Sequence, residues 1–438
     1  MELTEYLDRG KSPYQVVAVA KERLLEAGFR ELAFNEDFVI DAGGRYFVSP
    51  YPTVLFGFTV AKELHDGSMH IACAHTDFPC LKLKSHPEMT EEGNPAMVRV
   101  NVETYGGLLK KTWFDRPLGV AGKVVLKTEN PYIPREVLFD SEMPWCILPS
   151  LAPHLDKEIE KKEVDVQKEM LPLFLIWRNE KPCSKQMLIE ALAQRLEVNV
   201  DDILDYDLYL YNAEPACFVG FDSAMISSAR IDNIASVAAL IEGLINGSDT
   251  FFESKQEKKC EILTDFNVIA LFDNEEIGSR SKQGADSMLL SWITEKLLES
   301  PLCQGIHYKN AMAKSLLLSV DGAHALHPNY TEKSDPTNKV FMGGGIVLKT
   351  SATQRYVTDS RASAIVAGLC QREGLSYQKQ VNRSGLAGGQ TLGPITSSYL
   401  PIVAADIGVP MLAMHSAKEL CHKEDYEALK KLMEVWLG

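Results

Sequence analysis

Two adjacent carboxylates, Glu275 and Glu276, directly follow the stretch Phe272-Asp-Asn at the end of an apolar run that spans residues 267–272. The run is short, apolar and partly β-branched, a pattern that predicts a buried strand. Ligands of open α/β sheets bind at the carboxyl edge of the strands, so this edge is a candidate site. Neighbouring carboxylates in a cleft ionise together at low cost only beside a positive group. The pair therefore indicates a metal site in which one Glu binds the ion and the other transfers protons.

Other segments also place a metal-competent side chain at one end. These side chains are His75 and Asp77 after residues 69–74, Asp232 at the start of an Ala-rich helix, Asp321 after residues 315–320, and His415 after residues 410–414. Taken singly, each has an ordinary structural explanation. A histidine at a strand end is often structural, Asp232 suits a helix N-cap, and Asp321 suits a turn.

Taken together, these residues form a set that metal chemistry explains. Two divalent ions about 3.5–4 Å apart need a bridging carboxylate and terminal nitrogen and oxygen ligands. The candidate ligands are two imidazoles and three carboxylates, namely His75, Asp232, Glu276, Asp321 and His415. Such sites suit Zn²⁺ and also accept Co²⁺ and Mn²⁺. Asp77 can hydrogen-bond the His75 imidazole and raise its basicity, and Glu275 remains free to take a proton.

The composition is that of an ordinary globular protein, with 438 residues, 45% hydrophobic and 24% charged. The net charge of −15 argues against nucleic acid as the main partner. Nine scattered cysteines without a CxxC motif predict reduced thiols in a cytoplasmic protein. We expect no signal peptide, because the first ten residues lack a basic segment and a long apolar core. We expect no membrane helix, because no run of about 18 apolar residues occurs.

The order of patterns along the chain predicts its organisation. We expect a mixed-sheet α/β catalytic domain formed by residues 1–91 and 219–438, interrupted by a β-rich insertion at 92–218. Helices are predicted at 13–28, 184–197, 231–246, 286–299, 361–374 and 424–437, and strands at 37–41, 45–48, 54–60, 69–75, 207–211, 267–272, 315–320 and 410–415.

Several longer motifs resemble the aspartyl aminopeptidase family of zinc metallopeptidases, which also contains vacuolar aminopeptidase I. The resemblance runs almost end to end. It is carried by Ala74-His-Thr-Asp, Val100-Asn-Val-Glu-Thr-Tyr-Gly-Gly-Leu-Leu, Thr112-Trp-Phe-Asp-Arg-Pro-Leu-Gly, Ser228-Ala-Arg-Ile-Asp-Asn, Phe272-Asp-Asn-Glu-Glu-Ile-Gly-Ser, Asp321-Gly-Ala-His-Ala-Leu-His-Pro-Asn-Tyr, Thr391-Leu-Gly-Pro-Ile and Pro410-Met-Leu-Ala-Met-His-Ser-Ala-Lys-Glu-Leu.

The resemblance implies a zinc-exopeptidase-like catalytic domain with a two-metal site and roles for the matching residues. His75 and Asp321 would hold one metal, Glu276 and His415 the other, and Asp232 would bridge the two. Glu275 would be the general base and Asp77 the orienting carboxylate. The β-rich insertion would mediate dimerisation, and dimers would assemble into a twelve-subunit shell that admits peptides.

For the substrate, the resemblance implies three further residues and a preference for N-terminal Asp or Glu. His154 would act near the substrate of a neighbouring subunit, Lys349 would bind the acidic side chain, and Tyr356 would donate a hydrogen bond to the scissile carbonyl or the oxyanion. Departures from the family pattern, such as Ala224 in place of a common Glu, lie near expected pocket walls or subunit contacts. These departures leave open the same chemistry on neutral or hydrophobic N-terminal residues. A separate alternative is an inactive scaffold whose metal site is only structural, and the intact Glu275 argues against it.

Overall fold

A computed structural model describes residues 1–91, 96–158, 161–178, 186–253, 264–386 and 388–438. The α-helices in these ranges are α1 (Leu3–Arg9), α2 (Pro13–Glu26), α3 (Val166–Glu169), α4 (Met187–Leu196), α5 (Ile231–Glu253), α6 (Leu289–Glu299), α7 (Tyr308–Lys314), α8 (Ser360–Glu373), α9 (Leu392–Tyr399) and α10 (Lys423–Trp436). Short 3₁₀ turns occur at Lys110–Trp113, Val200–Asp202, Glu275–Ile277, Pro301–Cys303 and Thr331–Lys333.

A nine-stranded mixed sheet forms the centre of the fold. From edge to edge its strands are β1 (Arg30–Leu32), β2 (Arg45–Tyr51), β3 (Val54–Val60), β14 (Phe266–Phe272), β4 (Met69–His75), β15 (Leu316–Val320), β19 (Val403–Gly408), β17 (Ile346–Thr350) and β18 (Tyr377–Val381). Strand β4 lies between β14 and β15 and is parallel to both. The carboxyl ends of these three strands therefore meet at one edge of the sheet.

Both faces of this sheet are covered by helices, and β14 shows why. Its side chains alternate between two cores, with Ile269 and Leu271 in one and Val268 and Phe272 in the other. The first core includes apolar residues of α5 and α10, and the second includes those of α6 and α7. A strand buried on both faces reads as a continuous apolar run, which is the pattern at residues 267–272.

A second, seven-stranded sheet closes on itself into a barrel. Its strands are β5 (Cys80–Glu91), β6 (Ala96–Tyr105), β7 (Pro117–Leu126), β8 (Arg135–Asp140), β9 (Cys146–Ile147), β10 (Leu173–Trp177) and β11 (Ile203–Asn212). Strand β11 pairs with both β5 and β7, which closes the ring. The protein is thus a mixed α/β structure with a β-barrel component, while the bounds 92–218 of an inserted domain stay a prediction.

A third sheet, of five strands, flanks the polar residues late in the chain. Its strands are β12 (Cys217–Val219), β13 (Met225–Ser228), β21 (Glu419–His422), β20 (Pro410–Leu412) and β16 (Ala323–His324). Strands β20 and β21 are antiparallel neighbours, so residues 413–418 form the connection between them.

Two strand predictions were wrong. Residues 37–41 are irregular, although Phe38 and Ile40 are buried and Val39 is exposed, so their alternation reflects packing without backbone pairing. The strand predicted at 410–415 ends at Leu412, because Ala413 and His415 adopt left-handed backbone conformations with φ of 55° and 66°. The helix predicted at 184–197 begins at Met187, and its first two positions lie outside the described residues.

Within the described ranges, no helix combines the length and the apolar character that crossing a membrane requires. The described cysteines are free thiols, of which Cys217 is exposed and the others are buried. Cys183 and Cys260 lie outside the described residues.

Candidate metal centre

Three adjacent strands deliver the first candidate residues to one place. His75 is the last residue of β4, Asp321 follows β15, and Glu275 and Glu276 lie in the 3₁₀ turn shortly after β14. The left-handed conformation of Asn274, with φ of 63°, reverses the chain between the strand and that turn. The parallel pairing of β4 with both neighbours therefore brings these side chains together.

Asp232 and His415 reach the same place from other elements. Asp232 lies in the first turn of α5, where its backbone leaves helical geometry with ψ of 106°. His415 lies between β20 and β21. The buried carboxylate of Glu419 joins the two segments, because it accepts the backbone N–H of Asp232 at 2.9 Å and that of His415 at 2.7 Å.

The histidine nitrogens and the carboxylate oxygens of the cluster lie close together, at similar distances around each histidine. Nε2 of His75 lies 3.6 Å from Oδ1 of Asp232 and 3.4 Å from Oδ1 of Asp321. Nε2 of His415 lies 3.6 Å from Oδ2 of Asp232 and 3.4 Å from Oε2 of Glu276. The side chains thus form two groups, one at each histidine, and each oxygen of Asp232 faces one of them.

Backbone carbonyls fix the orientation of both imidazoles. Nδ1 of His75 lies 3.0 Å from the carbonyl oxygen of Asp77, and Nδ1 of His415 lies 3.1 Å from that of Gly107. Because a carbonyl oxygen can only accept, each Nδ1 carries a proton. In the neutral imidazole, Nε2 then presents its lone pair to the carboxylates of the cluster.

Asp77 holds the turn that carries the two glutamates. Its Oδ1 accepts the backbone N–H of Glu275 and its Oδ2 that of Glu276, both at 3.1 Å. Its contact with the His75 imidazole runs mainly through the backbone carbonyl, since Oδ1 lies 3.4 Å from Nδ1. The hydroxyl of Tyr105 donates a further hydrogen bond to Oδ2 at 2.8 Å.

Burial and mutual repulsion shape the electrostatics of the cluster. Burial raises the pKa of Glu275 to about 8, with His75 opposing the rise and the charge of Asp321 adding to it. Burial also raises the pKa of Glu276 well above its usual range, and the charge of Asp232 raises it further. Strongly perturbed acids in a cleft are typical of functional sites.

The cluster fits a zinc ion on two observations. The nitrogen and oxygen atoms of each group lie 3.4–3.6 Å apart, and ligands in a tetrahedral zinc site are separated by about 3.3–3.6 Å. Oδ1 of Asp232 is buried and has no hydrogen-bond partner among the described residues. A buried oxygen without a partner is costly unless it binds a cation.

The predicted substrate residues lie in two different places. Lys349 on β17 is buried, with Nζ 3.9 Å from Oδ2 of Asp321 and 5.5 Å from the centre of the Tyr356 ring. Burial lowers the pKa of Lys349, but the combined attraction of Asp321, Tyr356, Asp406 and Asp232 outweighs it, so the net pKa lies above the usual value. His154 is in an exposed loop after β9, and across the described ranges no hydrogen bond or ion pair joins it to the cluster.

Sequence reasoning missed three residues that shape this site. Tyr105, Asn274 and Glu419 all lie within quoted motifs but received no role. The only local sign of these roles in the sequence was Glu419, an acid four residues after His415. The partners of Tyr105 are far away in the sequence, and no pattern around residue 105 indicates them.

The fold and the donor set together define a zinc metallopeptidase, and comparison with known proteins agrees. The sequence model of the M18 family, described as "Aminopeptidase I zinc metalloprotease (M18)", matches residues 6–436. This chain belongs to that family of zinc aminopeptidases.

Individual relatives show how far the similarity extends. A probable M18 family aminopeptidase 2 of Clostridium novyi is 37% identical over 438 residues, covering 99% of this chain and 98% of the relative. Ape4, in its complex with Nbr1, superimposes with a TM-score of 0.88 at 29% identity, covering 99% of this chain and 84% of that one. The mApe1 dodecamer of S. cerevisiae superimposes with a TM-score of 0.82 at 23% identity, covering 99% and 94%, and supports the fold alone.

Proposed function

We propose that this protein is a two-metal aminopeptidase that removes the N-terminal residue from peptides and prefers Asp or Glu at that position. One observation carries the two-metal proposal. Two groups of metal-competent side chains, His75 with Asp321 and His415 with Glu276, share the single carboxylate of Asp232. A bridging carboxylate between two sets of terminal ligands is the arrangement that two neighbouring divalent ions require.

In this proposal, His75, Asp321 and Asp232 hold one ion, and Glu276, His415 and Asp232 hold the other. Zinc is the family's metal, while Co²⁺ or Mn²⁺ can replace it at carboxylate-rich sites. When bound, the metal supplies polarisation of the scissile carbonyl and a lowered pKa for the attacking water. The remaining steps belong to side chains of this protein.

Glu275 is the proposed general base. Its side chain belongs to neither of the two groups that share Asp232, but a carboxylate oxygen of Glu275 lies within 4.8 Å of ligand atoms of His75 and Glu276. It takes the proton of the attacking water and returns it to the leaving amine. Asp77 holds the Glu275 backbone in place, so we assign it a positioning role.

Lys349 is the proposed partner of the substrate's acidic side chain. Its buried ammonium stays charged beside Asp321, and a desolvated cation attracts a carboxylate strongly. Tyr356 lies next to it and can donate a hydrogen bond toward the scissile carbonyl. His154 is the residue that a neighbouring subunit would supply, in keeping with its exposure on a loop of the barrel region.

The pairing of Lys349 with Asp321 also favours a second candidate, a preference for neutral N-terminal residues. If Asp321 already compensates the ammonium, little positive charge remains to attract a substrate carboxylate. Both candidates share the metal ligands and the base. They differ only in the first side chain that the pocket accepts.

We propose that the protein self-associates into dimers and then into a dodecamer. The barrel carries an exposed apolar surface that includes Ile147 and Ile176. A groove of about 430 Å³ lies among Pro144, Phe174 and their neighbours on the same surface. Exposed apolar surfaces of this kind mark protein interfaces. We also propose a cytoplasmic location, which the free cysteines support.

The proposal is tested with the purified full-length protein, measuring its metal content and its hydrolysis of a peptide panel. We expect two metal ions per chain and release of the N-terminal residue, fastest for Asp and Glu. One ion per chain would contradict the two-metal arrangement. Hydrolysis restricted to Leu-type substrates would favour the second candidate, and a metal-loaded protein without peptidase activity would leave the scaffold alternative.

A further inference from the structure

A short segment of the barrel, residues 105–109, contacts the metal centre and begins with the last residue of β6. The hydroxyl of Tyr105 donates to Oδ2 of Asp77 and accepts from Nδ2 of Asn274, both at 2.8 Å. The hydroxyl thus links Asp77, which accepts the N–H groups of the Glu275–Glu276 turn, with Asn274, which directly precedes that turn. Tyr105 is 8% exposed, so water has little access to either hydrogen bond.

Each partner of Tyr105 controls the backbone of the glutamates. Oδ2 of Asp77, the oxygen that Tyr105 contacts, also accepts the N–H of Glu276. Asn274 directly precedes Glu275, and its Oδ1 accepts the hydroxyl of Ser281. Displacing the Tyr105 hydroxyl would therefore loosen the turn from two directions.

The residues that follow Tyr105 contact Glu276 and His415 of the cluster. A Cβ at Gly106 would lie 3.1 Å from Cβ of Glu276, so only glycine allows this approach without displacement. The carbonyl of Gly107 accepts Nδ1–H of His415, and the N–H of Leu109 donates to the carbonyl of His415 at 3.0 Å. The barrel therefore contacts the backbone or side chains of Glu276 and His415, two of the three residues proposed to hold one ion.

We propose that Tyr105 is a positioning residue that fixes the Glu275–Glu276 turn through Asp77 and Asn274, so that the barrel helps to set the geometry of the metal centre. The inference rests on the proposed roles of Glu275 and Glu276. Groups that orient metal ligands through hydrogen bonds affect metal affinity and activity although they touch neither metal nor substrate.

The test uses Tyr105→Phe, which keeps the ring and its edge-on packing against Tyr209 and removes only the hydroxyl. Tyr206→Phe is the matched control, since Tyr206 is also a buried barrel tyrosine but donates to the carbonyl of Lys84. We expect Tyr105→Phe to weaken zinc binding and to lower kcat, each by about ten-fold, with KM little changed. The control should match the wild type in all three quantities.

Zinc affinity is measured on the metal-free protein by competition with a chelator, and kcat and KM on the reloaded enzyme. If Tyr105→Phe matched Tyr206→Phe in zinc affinity and kcat, the inference would be overturned. A wild-type protein without peptidase activity would contradict the proposed function instead, and the zinc measurement would still test Tyr105.

Asn274→Gly gives an independent second variant. Glycine tolerates the left-handed backbone at this position, so the turn keeps its shape while the side-chain contact with Tyr105 is lost. If the hydroxyl acts partly through Asn274, the effects of the two substitutions on zinc affinity should be less than additive in the double variant. Full additivity would overturn the part of the inference that runs through Asn274.

Discussion

The ammonium of Lys349 lies 3.9 Å from Oδ2 of Asp321, so the proposed specificity residue directly faces a proposed metal ligand. The cation therefore lies at the edge of the candidate metal centre. If Lys349 binds the first substrate side chain as proposed, the substrate preference and the charge balance of the metal centre depend on the same side chain.

Replacing Lys349 by Met removes the charge and keeps most of the apolar stem. Because hydrogen bonds to charged groups contribute about 1.5–3 kcal/mol, kcat/KM for N-terminal Asp and Glu should fall by about 10–100-fold. Leu substrates should be affected less. Steady-state kinetics with Asp-, Glu-, Leu- and Lys-anilides measure the difference, and Lys379→Met on the exposed side of β18 is the control. An equal loss on all four substrates would show that Lys349 serves the metal centre and not specificity.

Gly408 fixes the position of Asp321 by close approach. A Cβ at residue 408 would lie 1.6 Å from the carbonyl oxygen of Asp321, so Gly408→Ala must push the Asp321 backbone away. We expect a stability loss of about 1–3 kcal/mol or more from overpacking and zinc binding weakened by about 10–100-fold. Thermal unfolding and chelator competition measure the two effects.

Gly368 offers the matched control for that substitution. It lies inside α8, and an added Cβ would meet nothing within 4 Å. Gly368→Ala should therefore raise stability by about 0.5–1 kcal/mol and leave zinc affinity unchanged. If Gly408→Ala behaved like Gly368→Ala, the close packing behind Asp321 would not matter to the site.

Glu242 on α5 makes stability depend on pH. Burial raises its pKa, but hydrogen bonds from Arg23 at 2.8 Å, from the Met1 amino group and from Tyr6 outweigh burial, so the net pKa lies below the usual value. A lowered pKa in the folded state stabilises the protein above the unfolded-state pKa of about 4.3, and this contribution is lost as pH falls through the folded-state pKa.

The wild type should therefore exceed Glu242→Gln in stability by about 1–3 kcal/mol at pH 7, and the gap should shrink below about pH 4. Denaturant unfolding across this pH range measures the gap. Glu26→Gln is the control, since Glu26 also lies near Arg23, at 3.6 Å, but is exposed. A gap that stays constant down to pH 2 would contradict the assigned ion pair.

The strand ends of the site were predictable because their signals are local. The apolar runs before His75, before the Glu275–Glu276 turn and before Asp321 each predict a buried strand, and parallel strands bring their carboxyl ends to one edge. The family motifs added the grouping of the ligands. The structure brings these side chains together in one cluster.

Other features depend on contacts that no local pattern encodes. The closure of the barrel needs β11 to pair with both β5 and β7, and the hydrogen bond between Asn274 and Tyr105 joins residues 169 positions apart. The end of β20 was mispredicted because the apolar run continues to Met414, and such a run gives no sign of the left-handed backbone at Ala413. Such features arise from tertiary packing, which can override local preference.

The central claim is that Glu275 transfers protons while Glu276 holds metal, and a pair of isosteric substitutions tests it. Glu275→Gln should keep the metal content and thermal stability of the wild type while kcat falls by about 10²–10⁴-fold. Glu276→Gln should lose metal. The decisive measurement is kcat for Glu275→Gln together with its metal content in the same preparation. Full metal with kcat reduced to that extent is the predicted result, and turnover within ten-fold of the wild type (about 1.4 kcal/mol in the activation barrier) at full metal content would contradict the account.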